Sequence, residues 1–286
     1  MRKYLEFVRF SHTVFAMPFA LASMVVASAG TGGWPGWRLV GLIVCAVICT
    51  RTAAMGFNRI ADRKFDALNP RTAARHLPAG RISLVAAWGL TVGSALGLVA
   101  VSWLINPLCF YLSPVALAVA LFYSVTKRFT DWTHVFLGVA LGIAPVGAWL
   151  AVRGEFAWPP VVLGVAVVFW LTGFDIIYAT QDVEFDRAHG LRSVPARFGV
   201  AGSLRIARGA HVAMWVLLVG FGLISGLGVP YFAGCCVVAG FLVCQHRLAR
   251  RGDPVSVNTA SLRVNGIISC VLLASVVVDV VWRGAA

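Results

Sequence analysis

Two acidic motifs with the same internal spacing occur in this chain. Asp62 and Asp66 form the first pair, and Asp182 and Asp186 form the second pair 120 residues later. Because an α-helix turns once every 3.6 residues, carboxylates four positions apart lie on one helical face. A Mg²⁺ ion held by a few carboxylates keeps coordination positions open for the oxygens of a substrate phosphate. The spacing therefore predicts Mg²⁺-dependent chemistry on a diphosphate.

Paired acids also occur as solvated loop charges, since a like-charge pair at this spacing costs only about 0.2–0.5 kcal/mol. Two observations favour a metal site instead. The chain has only 11 acidic residues, and six of them lie in or beside the two motifs: Asp62, Asp66, Asp175, Asp182, Glu184 and Asp186. Asp175 lies two helical turns before Asp182 in an apolar stretch, where an unpartnered carboxylate costs roughly 2.5–3.5 kcal/mol.

Basic residues near the acidic motifs are candidates for binding phosphate oxygens, with arginine as a fork and lysine as a point charge. They fall into three groups: Arg71, Arg75 and Arg81; Lys127 and Arg128, with Tyr123 one helical turn earlier; and Arg192 with Arg197. Each could equally be a topology determinant that contacts only lipid phosphates. We favour a substrate role most for Lys127, because Tyr123 can place a hydroxyl group on its helical face.

Apolar segments make up most of the chain and must position these residues. Of its 286 residues 59% are hydrophobic and 12% are charged, with a mean hydropathy of +0.85. Runs of roughly 17 to 23 apolar residues, long enough to cross about 30 Å of hydrocarbon as helices, recur at 10–30, 38–57, 83–105, 108–125, 134–152, 158–179, 206–227, 229–246 and 264–283. The sequence therefore predicts an all-α integral membrane bundle of nine transmembrane helices in a single domain, 1–286.

The net charge of +13 follows the predicted membrane topology. With the N-terminus in the cytoplasm and the first helix retained as an anchor, 20 of the 24 Lys and Arg residues fall on the cytoplasmic side. The positive-inside rule explains this asymmetry, so binding to a nucleic acid is not needed to explain the charge. The C-terminus is predicted to lie outside.

An internal repeat is indicated by the common offset of the two motifs. Four predicted spans separate them, and an even number of spans preserves orientation. We therefore expect a four-helix parallel pseudo-repeat plus one further helix, with both acidic motifs at the cytoplasmic side.

Three motifs, in order along the chain, resemble the signature of the UbiA superfamily of intramembrane aromatic prenyltransferases: Asn58-x-x-x-Asp62-x-x-x-Asp66, Tyr123-x-x-x-Lys127-Arg128 and Asp182-x-x-x-Asp186. The resemblance extends along essentially the whole chain. Segments 51–59, 69–72 and 77–80 are typical of the bacterial 4-hydroxybenzoate polyprenyltransferase branch. Segments 142–149, 174–178 and 193–198 are also similar to a branch linked to futalosine-route menaquinone synthesis, whose acceptor would be 1,4-dihydroxy-6-naphthoate.

The resemblance implies transfer of a polyprenyl group from its diphosphate to an aromatic acid of the 4-hydroxybenzoate type, in ubiquinone or menaquinone biosynthesis at the cytoplasmic side of a bacterial inner membrane. It implies that the four aspartates and Asn58 hold Mg²⁺ and that Lys127, Arg128 and nearby arginines bind the diphosphate. Aromatic rings would stabilise the allylic cation, with Phe57, Tyr123, Phe174 and Tyr178 as candidates. The partners implied are these two substrates and membrane lipid, and no protein partner.

Arg51 is the candidate for binding the acceptor's carboxylate, because it lies inside an apolar span two turns before Asn58. An internal ion pair with Asp175 is the alternative. Two other functions stay open at this point: a transporter of a phosphorylated anion, and a prenyltransferase of the same superfamily that uses a haem or chlorophyll precursor.

Overall fold

The computed structural model of the protein describes residues 2–9, 13–30 and 32–285, and all regular secondary structure in these ranges is helical. The helices are α1 Arg2–Phe7, α2 Thr13–Ala29, α3 Trp37–Ala61, α4 Arg63–Leu68, α5 Leu84–Ile105, α6 Pro107–Phe122, α7 Thr133–Arg153, α8 Trp158–Ala179, α9 Val183–Ala188, α10 Val194–Ile224, α11 Val229–Ala249, α12 Pro254–Asn258 and α13 Asn265–Ala285. Short 3₁₀ segments, Tyr123–Arg128 and Thr180–Asp182, follow α6 and α8, and a π-helical turn, Thr259–Val264, precedes α13.

Eight helical segments of the described chain are long and apolar enough to cross a membrane, and the first of them is Trp37–Ala61. The first predicted span, 10–30, corresponds to a shorter apolar helix, Phe15–Ala29. The all-α membrane fold is thus confirmed, while the predicted count of nine spans is not: the described chain has eight segments of full membrane-spanning length and this shorter one. Helix α2 nevertheless belongs to the core, because Phe19 is fully buried and packs on Trp170 of α8 with 4.8 Å between ring centroids.

Local sequence sets most of the helix ends. Asn106 caps α6 by accepting a hydrogen bond from the Cys109 amide at 2.8 Å, and Pro107 follows in the first turn, where a missing N–H costs nothing. Gly154 ends α7 with a left-handed conformation at φ +68°. Helix α10 begins well before the predicted start at 206, because Ser193 caps it by accepting a hydrogen bond from the Ala196 amide.

The acidic motifs are not on continuous helices, which corrects the expectation from their spacing. Asp62 lies at the junction of α3 and α4 with φ −89° and ψ 0°, and Asp182 lies just before α9 with φ −110° and ψ 8°. Aspartate is a poor residue for a helix interior and a favourable one at a helix N-terminus. The second aspartate of each motif lies inside the short helix that follows. The matching geometry of the two junctions agrees with the predicted pseudo-repeat.

Helices α7 and α8 are in backbone contact. A Cβ atom added to Gly142 would lie 2.7 Å from the carbonyl oxygen of Gly164, and one added to Gly164 would lie 2.6 Å from the carbonyl oxygen of Gly142. Small residues allow this approach between membrane helices. The contact fixes the N-terminal end of α7 beside the C-terminal end of α8, where the candidate site lies.

Substitution of Gly142 by alanine is expected to destabilise the protein by about 1–3 kcal/mol, because the added methyl group meets backbone that cannot move away. Thermal unfolding in detergent should show a lower midpoint temperature. Gly147→Ala, also in α7, is the matched control, since its Cβ would have no atom of the described chain within 4 Å. Equal midpoints for the two variants would contradict the close packing of α7 on α8.

Candidate active site

One cavity of about 1470 Å³ is lined by both acidic motifs and by the basic residues between them. Arg81, Arg192 and Arg197 are the predicted phosphate ligands that do not line it; the predicted site residues that do are Arg51, Asn58, Asp62, Asp66, Arg71, Arg75, Tyr123, Lys127, Arg128, Asp175, Tyr178, Asp182 and Asp186. The motifs come from α3–α4 and α8–α9, which are far apart in sequence. The predicted convergence of the two motifs is therefore present in the structure.

The first motif is held by neighbouring polar side chains. Asn58 donates a hydrogen bond from Nδ2 to Asp62 Oδ2 at 3.0 Å, and the Arg75 guanidinium lies 2.6 Å from Asp66 Oδ1. The hydroxyl of Thr72 donates to the Asp66 carbonyl oxygen at 3.0 Å, which fixes the loop after α4. Asp66 Oδ2 is buried and has no hydrogen-bond partner in the described residues. Asp66 lines the cavity, so this oxygen is a candidate to bind a ligand there.

The second motif is held largely by residues from the first half of the chain. The guanidinium of Arg71 binds both carboxylate oxygens of Asp182, with 2.8 Å between Nε and Oδ1. Asn69 also donates to Asp182 Oδ1, at 3.1 Å. The loop after α4 thus connects the two motifs. Asn69 was not among the predicted site residues, although it lies two positions before the predicted Arg71 in the same loop.

Asp186 is the more deeply buried aspartate of the second motif, with 1% of its surface exposed. It accepts a hydrogen bond from the Ser193 hydroxyl at 2.9 Å and lies 3.9 Å from the Lys127 ammonium. Ser193 also caps α10, so the start of that helix fixes this carboxylate. Ser193 was not among the predicted site residues, because no sequence pattern distinguishes a serine that only caps a helix from one that also positions a ligand residue.

Arg71 also contacts an aromatic ring of the site. Its guanidinium donates to the Tyr178 hydroxyl at 3.0 Å and lies 5.3 Å from the centroid of the Tyr178 ring. Phe174 lines the same cavity, whereas Phe57 packs on Trp88 and is not among the lining residues. Of the four candidate aromatic residues, three therefore face the cavity.

The oxygen-rich set fits a Mg²⁺ site only if basic side chains move. Within the described ranges, no three His, Cys, Asp or Glu side chains are grouped closely enough to hold a metal ion. Three of the aspartates are instead paired with Arg75, Arg71 and Lys127. Carboxylate and amide oxygens are nevertheless the ligands that Mg²⁺ prefers. Asp66 Oδ2 is one such oxygen, and it has no hydrogen-bond partner among the described residues. A diphosphate would attract the three bases and release the carboxylates.

Asp62 has an altered acidity. Burial raises the pKa of Asp62 from 3.8 to about 6, against the opposing effect of the positive charge on Lys127. The nearby Asp66 carboxylate also raises it. A cation bound at this position would stabilise the charged form, so binding would release a proton.

A buried histidine on the cavity wall was not predicted from the sequence. His134, in the first turn of α7, has Nδ1 2.6 Å from Asp175 Oδ2 near the end of α8. Asp175 thus pairs with His134, and the alternative ion pair with Arg51 is absent. Arg51 is left with a buried Nε that has no hydrogen-bond partner among the described residues.

A second cavity, of about 1000 Å³, adjoins the first and is mainly apolar. Arg51 and Tyr123 line both cavities, so they mark the boundary between them. Small side chains of α3, α6 and α7 leave this space open: Ala46, Ala54, Ala116, Ala120, Ala140, Ala144, Gly147 and Ala148. The charged cavity therefore continues into an apolar one within the bundle.

Arg192 is not brought to the cavity. Its guanidinium donates to the Phe129 carbonyl oxygen at 2.7 Å, and its amide donates to the Lys127 carbonyl oxygen at 3.0 Å. The contacts of Arg192 instead hold the 3₁₀ segment that carries Lys127. Arg192 therefore lies outside the cavity lining and binds the backbone at Lys127 and Phe129.

Paired aspartates, facing bases and an adjoining apolar cavity lie together inside a helical bundle of membrane-spanning length, which is the arrangement of an intramembrane enzyme. Residues 16–267 match the UbiA prenyltransferase family, and the chain belongs to this family. It is accordingly an integral membrane prenyltransferase.

Similar proteins cover nearly the whole chain. A 4-hydroxybenzoate octaprenyltransferase of Cupriavidus necator is 30% identical over 279 residues, which are 96% of this chain and 96% of that protein. A UbiA homologue from Aeropyrum pernix K1, in its apo structure, is 32% identical with a TM-score of 0.85, covering 94% of this chain and 98% of the other. A UbiA homologue from Archaeoglobus fulgidus bound to GPP and Mg²⁺ is 22% identical with a TM-score of 0.73, covering 98% and 99%.

Proposed function

We propose that this protein transfers a polyprenyl group from a polyprenyl diphosphate to an aromatic acid of the 4-hydroxybenzoate type, with Mg²⁺, in quinone biosynthesis. The observation that carries the proposal is the meeting of two aspartate motifs in one cavity that continues into an apolar cavity at Arg51. The name of the Cupriavidus necator relative supports the acceptor class. The GPP and Mg²⁺ in the Archaeoglobus fulgidus homologue support the donor class and the cation.

The diphosphate would bind between the two motifs. Asp62, Asp66, Asp182, Asp186 and Asn58 are the residues that would hold Mg²⁺. When bound, Mg²⁺ supplies Lewis-acid stabilisation of the negative charge that grows on the leaving diphosphate. Arg71, Arg75 and Lys127 would exchange their carboxylate partners for phosphate oxygens, with Arg128 at the rim of the same cavity. This exchange stabilises the leaving group more as its charge increases.

The prenyl chain would lie in the apolar cavity. Its reacting end would then be near Tyr123, Tyr178 and Phe174, which line the charged cavity. An aromatic face stabilises a nearby cation by about 0.5–2 kcal/mol, which suits an allylic cation formed as the carbon–oxygen bond breaks. An apolar wall around the remaining chain also disfavours the transporter hypothesis, which needs a polar path across the membrane.

The acceptor's carboxylate would bind Arg51 at the boundary of the two cavities. A buried guanidinium without a partner is costly, and a carboxylate would satisfy it with charge-assisted hydrogen bonds. Both 4-hydroxybenzoate and 1,4-dihydroxy-6-naphthoate carry this group, so the second compound is the alternative acceptor. The distribution of basic residues supports a cytoplasmic active site and N-terminus in a bacterial inner membrane.

The test is a transfer assay with the purified protein in lipid nanodiscs. Radiolabelled geranyl or farnesyl diphosphate is supplied with Mg²⁺ and a panel of acceptors: 4-hydroxybenzoate, 1,4-dihydroxy-6-naphthoate and haem and chlorophyll precursors. We expect a prenylated hydroxyaryl acid whose formation stops in EDTA. Turnover with only a precursor of haem or chlorophyll, or anion flux in liposomes without any transfer, would overturn the proposal.

Mg²⁺ affinity is expected to fall in acid solution because of Asp62. Since its pKa is raised to about 6, Asp62 is mostly ionised above pH 7 and only roughly one tenth ionised at pH 5. The apparent dissociation constant for Mg²⁺ should therefore be flat above pH 7 and rise about tenfold by pH 5. Calorimetric titration in two buffers of different ionisation enthalpy measures both the affinity and the protons released. Equal affinity and no proton release at pH 6 would count against Asp62 as a ligand.

A further inference from the structure

We infer, on the basis of the proposed function, that Asp175 accepts the proton of the acceptor's ring hydroxyl during prenyl transfer and that His134 is the residue that positions Asp175 for this step. Neither residue belongs to the two aspartate motifs. Both residues line the charged cavity, and neither is among the groups proposed to bind the diphosphate.

The geometry leaves one carboxylate oxygen available to a ligand. His134 Nδ1 lies 2.6 Å from Asp175 Oδ2, and in the neutral ring this nitrogen donates the hydrogen bond. The His134 side chain is fully buried, whereas 23% of the Asp175 side chain is exposed. Asp175 lines the cavity, and its Oδ1 accepts no hydrogen bond from any residue in the described ranges. The pair is therefore buried at the histidine, whose Nε2 has no partner among the described residues, and partly exposed at the carboxylate.

The backbone around the pair is rigid. Gly138 of α7 lies so close to α8 that an added Cβ would be 2.6 Å from the Val168 carbonyl oxygen. The Thr172 hydroxyl, one turn before Asp175 on α8, lies 3.4 Å from the His134 carbonyl oxygen. Close packing of the two helices and the bond from His134 restrict the carboxylate, which favours the fixed geometry that proton transfer requires. A purely structural ion pair would have no need to open one oxygen to the cavity.

Ring hydroxyl groups are the natural partners of this oxygen. Arg51 would bind the carboxylate at one end of the acceptor, which directs the hydroxylated end toward the other polar groups of the cavity. A hydroxyl group adjacent to the attacked ring carbon increases the electron density of that carbon as its O–H bond is broken. Both acceptors considered above carry such a hydroxyl, so the inference does not depend on which of them is used.

The ring carbon forms a bond to the allylic carbon of the donor, and the electron pair of the carbon–oxygen bond leaves with the diphosphate. The hydroxyl proton moves to Asp175 Oδ1, and the ring becomes a dienone. The ring then loses the proton of the attacked carbon to the departing diphosphate, and the oxygen regains the proton from Asp175. No oxidant or further reactant is needed.

Several charged or titratable groups surround Asp175 and enter any pH profile. His134 faces it from α7, and His211 of α10 approaches α8 through a contact of 3.2 Å with the Trp170 carbonyl oxygen. The charged or titratable groups that line the same cavity are Arg9, Arg51, Arg59, Asp62, Asp66, Arg71, Arg75, Tyr123, Lys127, Arg128, Tyr178, Asp182 and Asp186. Their contributions are shared by wild type and variants, so only a difference between pH profiles is informative.

The test compares Asp175→Asn with wild type over a range of pH, using the acceptor and an analogue with fluorine beside the ring hydroxyl. We expect kcat of the variant to be about 10²-fold to 10³-fold lower at pH 7 and to recover as the hydroxyl ionises, because the ionised acceptor needs no proton acceptor. With the fluorinated acceptor, whose hydroxyl is more acidic, the recovery should move to lower pH by the difference between the two hydroxyl pKa values. The KM for the donor should not change.

His134 is tested by two substitutions with different hydrogen-bonding capacity. His134→Gln can still donate to Asp175 and should retain most activity, whereas His134→Leu should lower kcat about tenfold and show the same recovery with pH. Asp131→Asn is the control, because this acid pairs with Arg197 outside the cavity lining. Mg²⁺-dependent binding of an unreactive thiolodiphosphate analogue of the donor verifies that each variant is folded.

A loss in Asp175→Asn that is the same at every pH and for both acceptors would overturn the inference, as would full activity of this variant. In either case wild-type turnover would leave the proposed function intact. A wild-type protein that prenylates no hydroxyaryl acid would instead remove the proposed function and this inference with it.

Discussion

Asp186→Asn is expected to lower prenyl transfer by at least about 10³-fold at saturating substrates, equivalent to roughly 4 kcal/mol of transition-state stabilisation. The substitution keeps the size of the side chain and removes the negative charge that would bind Mg²⁺. Asp186 is almost fully buried and is held by Ser193, so no neighbouring carboxylate can take over its position. Initial rates of product formation, measured together with a Mg²⁺ titration, give the loss and its cause.

Glu184→Gln is the matched control for this prediction. Glu184 belongs to the same short helix, α9, but its side chain is exposed, and it is not among the residues that line the cavity. We expect the rate of prenyl transfer by Glu184→Gln to stay within about twofold of wild type. Similar losses of rate in both variants would indicate that removing any negative charge from α9 lowers prenyl transfer. They would contradict a specific ligand role for Asp186.

Arg51→Met is expected to raise the KM for an aromatic acid acceptor by about 10²-fold or more. A charge-assisted hydrogen bond to a buried group is worth about 2–5 kcal/mol once one partner is removed, and methionine fills the space without offering a donor. The donor KM should change little, because the diphosphate groups lie at the aspartate motifs. Steady-state kinetics with each substrate varied in turn separate these two effects.

An ester of the acceptor makes the Arg51 test specific. Wild type should use the methyl ester poorly, and the Arg51→Met variant should no longer discriminate between acid and ester. Arg38→Met is the matched control on the same helix, since Arg38 is exposed at the opposite end of α3. If the variant still prefers the acid by the same factor as wild type, Arg51 does not bind the carboxylate.

Much of the fold could be predicted because membrane helices are encoded by local composition. Seven of the predicted spans, from 38–57 onward, begin and end near observed helices, because proline, glycine and asparagine mark the turns between them. The start of α10 was placed too late, because Pro195, Arg197 and Gly199 interrupt the apolar pattern there and the helix start is held by Ser193, which also binds Asp186. Hydropathy alone does not detect a helix outside the hydrocarbon.

The sequence by itself determined the membrane class, the repeated aspartate motifs and the basic residues beside them, because each of these depends on residue type and local spacing. Only the tertiary structure decided that Asn69 and Arg71 of the first half hold Asp182 of the second half, and that His134 pairs with Asp175. It also decided that Arg51, at the boundary of two cavities, has an Nε without a partner in the described part of the chain. Such contacts join residues as many as 113 positions apart. They depend on how closely helices pack, and the glycine contacts between α7 and α8 that set this distance are visible only when both helices are in place.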